Sequence, residues 1–370
     1  MSREIYLDYN ATAPLRPEAR QAIEAALAET GNASSVHRFG REARKRVEDA
    51  REAVAELAGA AAAEIVFTSG GTEANNLALR GAGRRRLLVS DIEHDSVLAA
   101  APEAERIAVG PDGIVRLDAL AALLEAGPEP ALVAVMLANN ETGVVQPLAE
   151  IVRLAHARGA VVHADAVQAA GKMALDFAAL GSDTMALSAH KLGGPQGTGA
   201  LVVRAGLPLA PALKGGGQER GLRAGTENVA GIAGFGAAAK AARQGLADYA
   251  RISLMRDRLE AGIARVAPGA RFFGREAARL ANTTSFTMPG VGSETQVIAL
   301  DLAGIAVSAG SACSSGKVRP SHVLRAMGAS EAEAGSSIRV SLGWGTTAEE
   351  VDRFIEAWGE IYHRLGARAA

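Results

Sequence analysis

From about Pro17 to Arg204 the chain alternates short apolar, β-branched runs with amphipathic stretches of helical period, and this alternation restricts the fold more than any other feature. The spacing predicts strands over residues 64–69, 86–90, 106–109, 131–138, 160–165, 184–188 and 200–204. Helices are predicted between them, such as 42–57, stopped by Gly59, and 147–158, stopped by Gly159. Such alternation builds an α/β layer on a mostly parallel, seven-stranded sheet, with its ligand crevice at the carboxyl ends of the strands. From 228 to about 266 the pattern is long and helical. Beyond it the order becomes strand (283–287), helix (294–302), a Gly/Ser-rich loop, helix (321–327), strand (337–342) and a last helix. That helix is opened by Thr347 with Glu350 three residues on, a capping box. The expected division is a large α/β domain over 13–255 and a smaller α+β domain over 1–12 and 256–370.

Several segments put polar chemistry at the predicted carboxyl edge. "TSGGTEANN" opens a helix near Gly71 and Thr72, where backbone N–H groups and a hydroxyl can meet an anion; a plain glycine-rich turn is the alternative for this segment alone. "VVHADAVQ" ends a strand in Asp165, with Gln168 three residues later; an acid there is often just a helix cap. "ALSAHKLGGPQGTG" ends another in Ser188, His190 and Lys191. Together these supply the parts of a pyridoxal 5'-phosphate site. Lys191 offers an amine for a Schiff base, and Asp165 a partner that keeps the pyridinium nitrogen protonated. Thr72, Ser188 and His190 offer phosphate donors, and Gln168 a hydrogen bond to the phenolic oxygen. His94, in "SDIEHDSV", lies where an imidazole can stack on the ring and handle protons, although a lone His near a strand end is more often structural. Asn140, in "LANNETG", falls on the same edge, within reach of ring or substrate.

The rest of the sequence excludes more than it selects. With 39 basic against 41 acidic residues there is no electrostatic footprint for nucleic acid or membrane. The longest apolar run, 131–138, is far short of the roughly 20 residues of a membrane span, and no signal pattern opens the chain. One cysteine excludes a disulfide framework and a cysteine-rich metal site, which fits a reducing, cytoplasmic setting. That cysteine, Cys313, lies in "SAGSACSSGKVRPSH", among residues that favour loops over packed elements. From the loop alone a reactive thiol and an accident of sequence are equally open readings.

The ordered motifs "YLDYNATAP", "FTSGGTEANN", "LANNETGVVQP", "HADAVQ", "SAHKLGGPQGTG", "GGGQERGLRAGTEN", "GSACSSG" and "SSIRVSLG" run from Tyr6 to Gly343. In these the chain resembles the cysteine desulfurases of the NifS/IscS type, within the class V aminotransferase group of fold-type I pyridoxal phosphate enzymes. The resemblance implies that Lys191 carries the cofactor, Asp165 pairs with the ring nitrogen and His94 stacks on the ring. It implies a homodimer in which Thr226 reaches the partner's phosphate. It also gives Cys313 a task, attack on the sulfur of L-cysteine to form a persulfide, with L-alanine as the other product. A guanidinium suits an α-carboxylate, and Arg339 in "SSIRVSLG" is the candidate; a strand arginine paired with a structural acid is the alternative without the resemblance. The sulfur then passes to an acceptor such as an iron–sulfur scaffold or another thiol carrier. Within enzymes the alternative is a selenocysteine lyase, which shares the site and can cleave its substrate without thiol attack.

Overall fold

The computed structural model describes residues 4–127, 130–310 and 320–366. Twelve strands occur among them: β1 (Ile5–Tyr6), β2 (Ile65–Thr68), β3 (Leu87–Ser90), β4 (Glu105–Ile107), β5 (Leu132–Met136), β6 (Val161–Asp165), β7 (Thr184–Ser188), β8 (Gly199–Val203), β9 (Thr283–Thr287), β10 (Ile305–Ala306), β11 (Ser308–Ala309) and β12 (Ser337–Ser341). Seven form one sheet in the order β2-β8-β7-β6-β5-β3-β4. Pairing from β7 through β6, β5 and β3 to β4 is parallel, and only β8 runs against its neighbours β7 and β2. The central strands read as near-continuous apolar runs because both faces are covered. One face packs Leu88, Val133, Val135, Val162, Met185 and Leu187 under helices, the other Val66, Val89, Leu132, Ala134 and Leu201.

Because β3, β5, β6 and β7 run parallel, their carboxyl ends lie at one edge of the sheet, and the loops that follow them open on one rim. The helix Gly71–Gly81 follows β2 onto that rim. A Cβ on Gly199 of β8 would lie 2.6 Å from the Gly70 Cα, so only glycine lets this strand pass under the turn.

A separate apolar cluster gathers Ile5, Leu7, Leu259, Ile263, Phe286, Leu300, Ile338, Val340, Phe354 and Trp358. Around it lie an antiparallel sheet, β11-β12-β9, and the parallel pair β1-β10. The capping box forms as the sequence predicts, with Thr347 N–H donating to Glu350 Oε2 at 3.0 Å and Glu350 N–H to Thr347 Oγ1 at 3.3 Å. The long helical stretch is two helices, Val229–Gln244 and Tyr249–Val266, with a 3-10 turn at Gly245–Asp248 between them. Gly245 is the capping residue of the first, and a glycine inside the pattern offers the chain its cheapest exit.

Candidate active site

The rim and the small sheet enclose a cavity of about 500 Å³. Gly71, Thr72, His94, Asn140, Asp165, Gln168, Ser188, His190, Lys191 and Arg339 all line it. Residues separated by more than two hundred positions therefore converge there. Thr226 is exposed and does not line the cavity. Cys313 lies outside the described residues.

Lys191 ends the short 3-10 turn that follows β7. Its Nζ donates to the carbonyls of Asn10 and Ala11, each at 2.8 Å. Asp165 is the last residue of β6 and is 6% exposed. Its Oδ2 accepts from Asn75 Nδ2 at 2.8 Å and its Oδ1 from the Val167 N–H at 3.0 Å. Both donors are neutral, so a carboxylate there keeps its charge available to a cationic N–H in the cavity.

At the other end the first turn of the helix Gly71–Gly81 meets Ser188 and His190. A Cβ on Gly71 would stand 2.8 Å from Val167 Cγ2, so glycine is what lets this turn pack against Val167, and with Gly71 and Thr72 lining the cavity the N-terminal end of the helix faces it, as suits an anion. Burial, then Lys191 and Lys172, pushes the His190 pKa down to about 4, which keeps the ring neutral.

Sequence reasoning missed a second tier. Lys172 is buried, donating to Asn10 Oδ1 at 2.8 Å and to Gln168 Oε1 at 2.5 Å. Burial first, then Lys191 and Arg339, holds its amine well below the usual ammonium range. Because Lys172 takes the amide oxygen of Gln168, the Nε2 end turns to the Asn10 carbonyl at 2.9 Å and keeps a second hydrogen to spend. Asn10 also donates to the Asn140 carbonyl at 3.1 Å and to Thr283 Oγ1 at 2.9 Å. The tenth residue of the chain thus ties the lysine, the glutamine and the small sheet together. Its motif was visible in "YLDYNATAP", but nothing local says that this stretch returns to Lys191.

Arg339, in the middle of β12, is 5% exposed and donates through Nη2 to Asp8 Oδ1 at 2.8 Å and through Nη1 to the Asn140 carbonyl at 3.1 Å. Its Nε is buried with no partner among the described residues. Arg339 lines the cavity, and Nη1 and Nη2 each keep a second hydrogen beyond these bonds, which fits a carboxylate ligand. Two buried acids stand close by. Burial pushes Glu93 up to about 8 and Glu141 up to about 7, and the Ser321 hydroxyl donates to Glu141 Oε2 at 2.6 Å.

A covalently competent lysine, an acid for a cationic nitrogen, an anion cradle and an arginine for a carboxylate now share one cavity. The family model of the class-V aminotransferases matches residues 5–354. The chain belongs to that family, among its cysteine desulfurases. A cysteine desulfurase of Cereibacter sphaeroides is 46% identical over 98% of this chain and 97% of its own. An IscS-like cysteine desulfurase of Mycobacterium tuberculosis is 40% identical over 95% and 94%. Among solved structures, a NifS-like protein from Rickettsia africae superposes with a TM-score of 0.91 at 37% identity, covering 98% of this chain and all of the other. The fold of this cysteine desulfurase is therefore the α/β fold of NifS-like, fold-type I enzymes, as the strand pattern and motifs predict.

Proposed function

We propose that the protein uses pyridoxal 5'-phosphate to take sulfur from L-cysteine, releasing L-alanine and holding the sulfur as a persulfide on Cys313. The observation that carries this reading is the convergence of Lys191, Asp165 and Arg339 on one cavity. Lys191 would hold the cofactor, Asp165 would accept the ring N–H, and His94 would lie against the ring. Gly71, Thr72, Ser188 and His190 would receive the phosphate, and the spare Nε2 hydrogen of Gln168 the phenolic oxygen. When bound, pyridoxal phosphate supplies an electron sink for bond cleavage at the substrate's Cα.

The chain's own residues do the rest. Arg339, held in place by Asp8, grips the α-carboxylate with Asn140 alongside. Lys191 takes the proton from Cα, in a wall where burial keeps neighbouring groups neutral. The Cys313 thiolate attacks the substrate Sγ, so that an S–S bond forms as the C–S bond breaks. The electron pair of that C–S bond stays on the carbon fragment, which takes up a proton and leaves as alanine. A thiol carrier or an iron–sulfur scaffold then receives the outer sulfur.

The reading includes a homodimer in a reducing, cytoplasmic setting. Thr226 sits on the surface of a loop tethered by Arg223, whose Nε donates to Glu73 Oε1 at 3.0 Å in the first turn of the phosphate helix. Glu219 and Arg220 hold positive φ of 45° and 56°, and Glu219 is locked to Arg51 by two hydrogen bonds of 2.8 Å. Strain in two adjacent non-glycine residues supports a loop built to present Thr226 in one pose. No helix of the described residues is long and apolar enough to cross a membrane. The domain division at 13–255 belongs to the same reading, supported by the separate apolar cluster around Phe286 and Trp358.

The test is direct. Purified protein supplied with pyridoxal phosphate, L-cysteine and a reductant should form alanine and sulfide in equal amounts. Failure to produce alanine overturns the reading; alanine from selenocysteine alone moves it to the lyase.

A further inference from the structure

A buried chain of polar groups runs behind the cavity, and its direction is set at one end. The Asp165 carboxylate can only accept, so the Asn75 amide turns its Nδ2 toward it, 2.8 Å from Oδ2. Asn75 Oδ1 is thereby aimed at His163 Nε2, 2.9 Å away, and an amide oxygen can only accept. His163 must therefore carry its proton on Nε2 and take the Thr184 hydroxyl on Nδ1 at 2.8 Å. Burial agrees, pushing the His163 pKa down to about 4. The second Nδ2 hydrogen of Asn75 goes to Ser96 Oγ at 2.8 Å. With that oxygen accepting, the Ser96 hydroxyl hydrogen is left for His94 Nδ1, 2.9 Å away, which also receives the Ser96 backbone N–H at 3.1 Å. With Nδ1 accepting from the Ser96 backbone N–H, the His94 ring carries its proton on Nε2.

We propose that Asn75 is a positioning residue for two groups of the site, aiming the Asp165 carboxylate and, through Ser96, holding His94 as its Nε2–H tautomer. Asn75 is 1% exposed and takes no place in the cofactor contacts proposed above, yet among the described residues no other bonds to Asp165, His163 and Ser96 at once. An aspartate at 75 would set two carboxylates 2.8 Å apart, which cannot both ionise. An apolar residue would leave the His163 Nε2–H without its acceptor and would take from Ser96 Oγ the donor that turns its hydroxyl hydrogen toward His94. The catalytic meaning rests on the reading of Asp165 and His94 as cofactor contacts, but the hydrogen-bond order does not, so the two are tested apart.

The experiment is nitrogen-15 NMR of the full chain, labelled at histidine and free of cofactor, with the His94 and His163 signals assigned among the 7 histidines by single substitutions. In the wild type both rings should show a bare Nδ1 and a protonated Nε2. Ser96→Ala, which leaves the Asn75 to Asp165 bond in place, should move the His94 signals toward those of a ring exchanging between tautomers, and leave His163 unmoved. Asn75→Leu should move both rings, and Ser96→Thr, which keeps the hydroxyl, should restore the His94 pattern. A wild-type ring protonated at Nδ1 overturns the proposal. So does a His94 that stays fixed in Asn75→Leu, because the backbone N–H of Ser96 would then suffice without Asn75. Should Asn75→Leu fail to fold, Asn75→Ala takes its place with the same readout. A protein that shows this order and never binds pyridoxal phosphate would overturn the function above and leave the relay standing.

Discussion

Arg339 Nη2 lies 2.8 Å from Asp8 Oδ1, joining the middle strand of the small sheet to the N-terminal segment that runs beside it. The other Asp8 oxygen accepts from Ser308 Oγ at 2.7 Å, and Ser308 stands opposite Arg339 in the register of β11 and β12. The guanidinium is thus oriented before any substrate arrives, with Nε still unspent. Pre-orientation lowers the entropic cost of gripping a carboxylate.

Arg339→Lys should therefore raise KM for L-cysteine by about 10- to 100-fold, the value of a charged, two-pronged hydrogen bond, and leave the bound cofactor's absorption unchanged. Asp8→Asn should raise KM by less, since a neutral acceptor still orients the fork. Steady-state kinetics on both variants checks the order; equal KM for all three proteins removes Arg339 from substrate binding.

Lys191→Ala should lose alanine production by at least about 1,000-fold, the scale of a missing general base together with a missing attachment point. Wild type should be yellow after dialysis and the variant colourless. A variant that keeps covalently bound pyridoxal phosphate through denaturing filtration counts against Lys191 as its anchor.

The sheet and most of the rim were legible because each chemical residue follows a strand end, and an apolar run followed by Gly, Ser or His needs no tertiary knowledge to read. Asp165, Ser188 and Lys191 are of this kind. Asp8, Asn10, Asn75 and Lys172 are not. Asn10 meets Lys191 across 181 positions, Lys172 looks like any helix-end lysine, and Asn75 sits mid-helix, where a polar residue normally faces water. Their roles come from burial and from partners brought by topology, which local pattern does not encode. The break of the long helix at Gly245 is of the legible kind, since a glycine inside a helical pattern marks a weak point that the sequence reading passed over.

Glu93 sets a pH dependence of stability. It is wholly buried, its Oε1 accepting from Ser90 Oγ at 2.5 Å and from the Met136 N–H at 2.7 Å, while Oε2 has no partner among the described residues. Burial raises its folded pKa to about 8, above the roughly 4.3 of an unfolded glutamate. The folded state then binds the proton more tightly. Its contribution is complete below about pH 4 and is lost as pH rises through 8. Glu93→Gln, neutral throughout, should gain melting temperature on wild type steadily from pH 5 to pH 8, by about 1–3 kcal/mol in stability at the upper end. A difference that is flat with pH would show that the carboxyl titrates elsewhere.

Thr226→Ala should weaken retention of pyridoxal phosphate without altering the melting of the cofactor-free protein, because an exposed threonine contributes little to the fold. Light scattering should find a dimer. A monomer with full activity at assay concentration would contradict the shared site, whatever Thr226→Ala does.

Cys313→Ser separates cofactor chemistry from sulfur transfer. Arg339, Lys191 and Asp165 do not depend on the thiol, so the variant should still bind L-cysteine and change the bound cofactor's colour on mixing. It should then stall, because a hydroxyl supplies almost no anion at neutral pH, whereas a thiol near pKa 8.5 supplies some even unperturbed and more beside a cation. Alanine and sulfide should fall together. In wild type, mass spectrometry after a limiting dose of L-cysteine should show one added sulfur on the peptide containing Cys313, removed by reductant. If wild type turns over and that mass never appears, the sulfur leaves without passing through Cys313, and cleavage without thiol attack becomes the reaction this site performs.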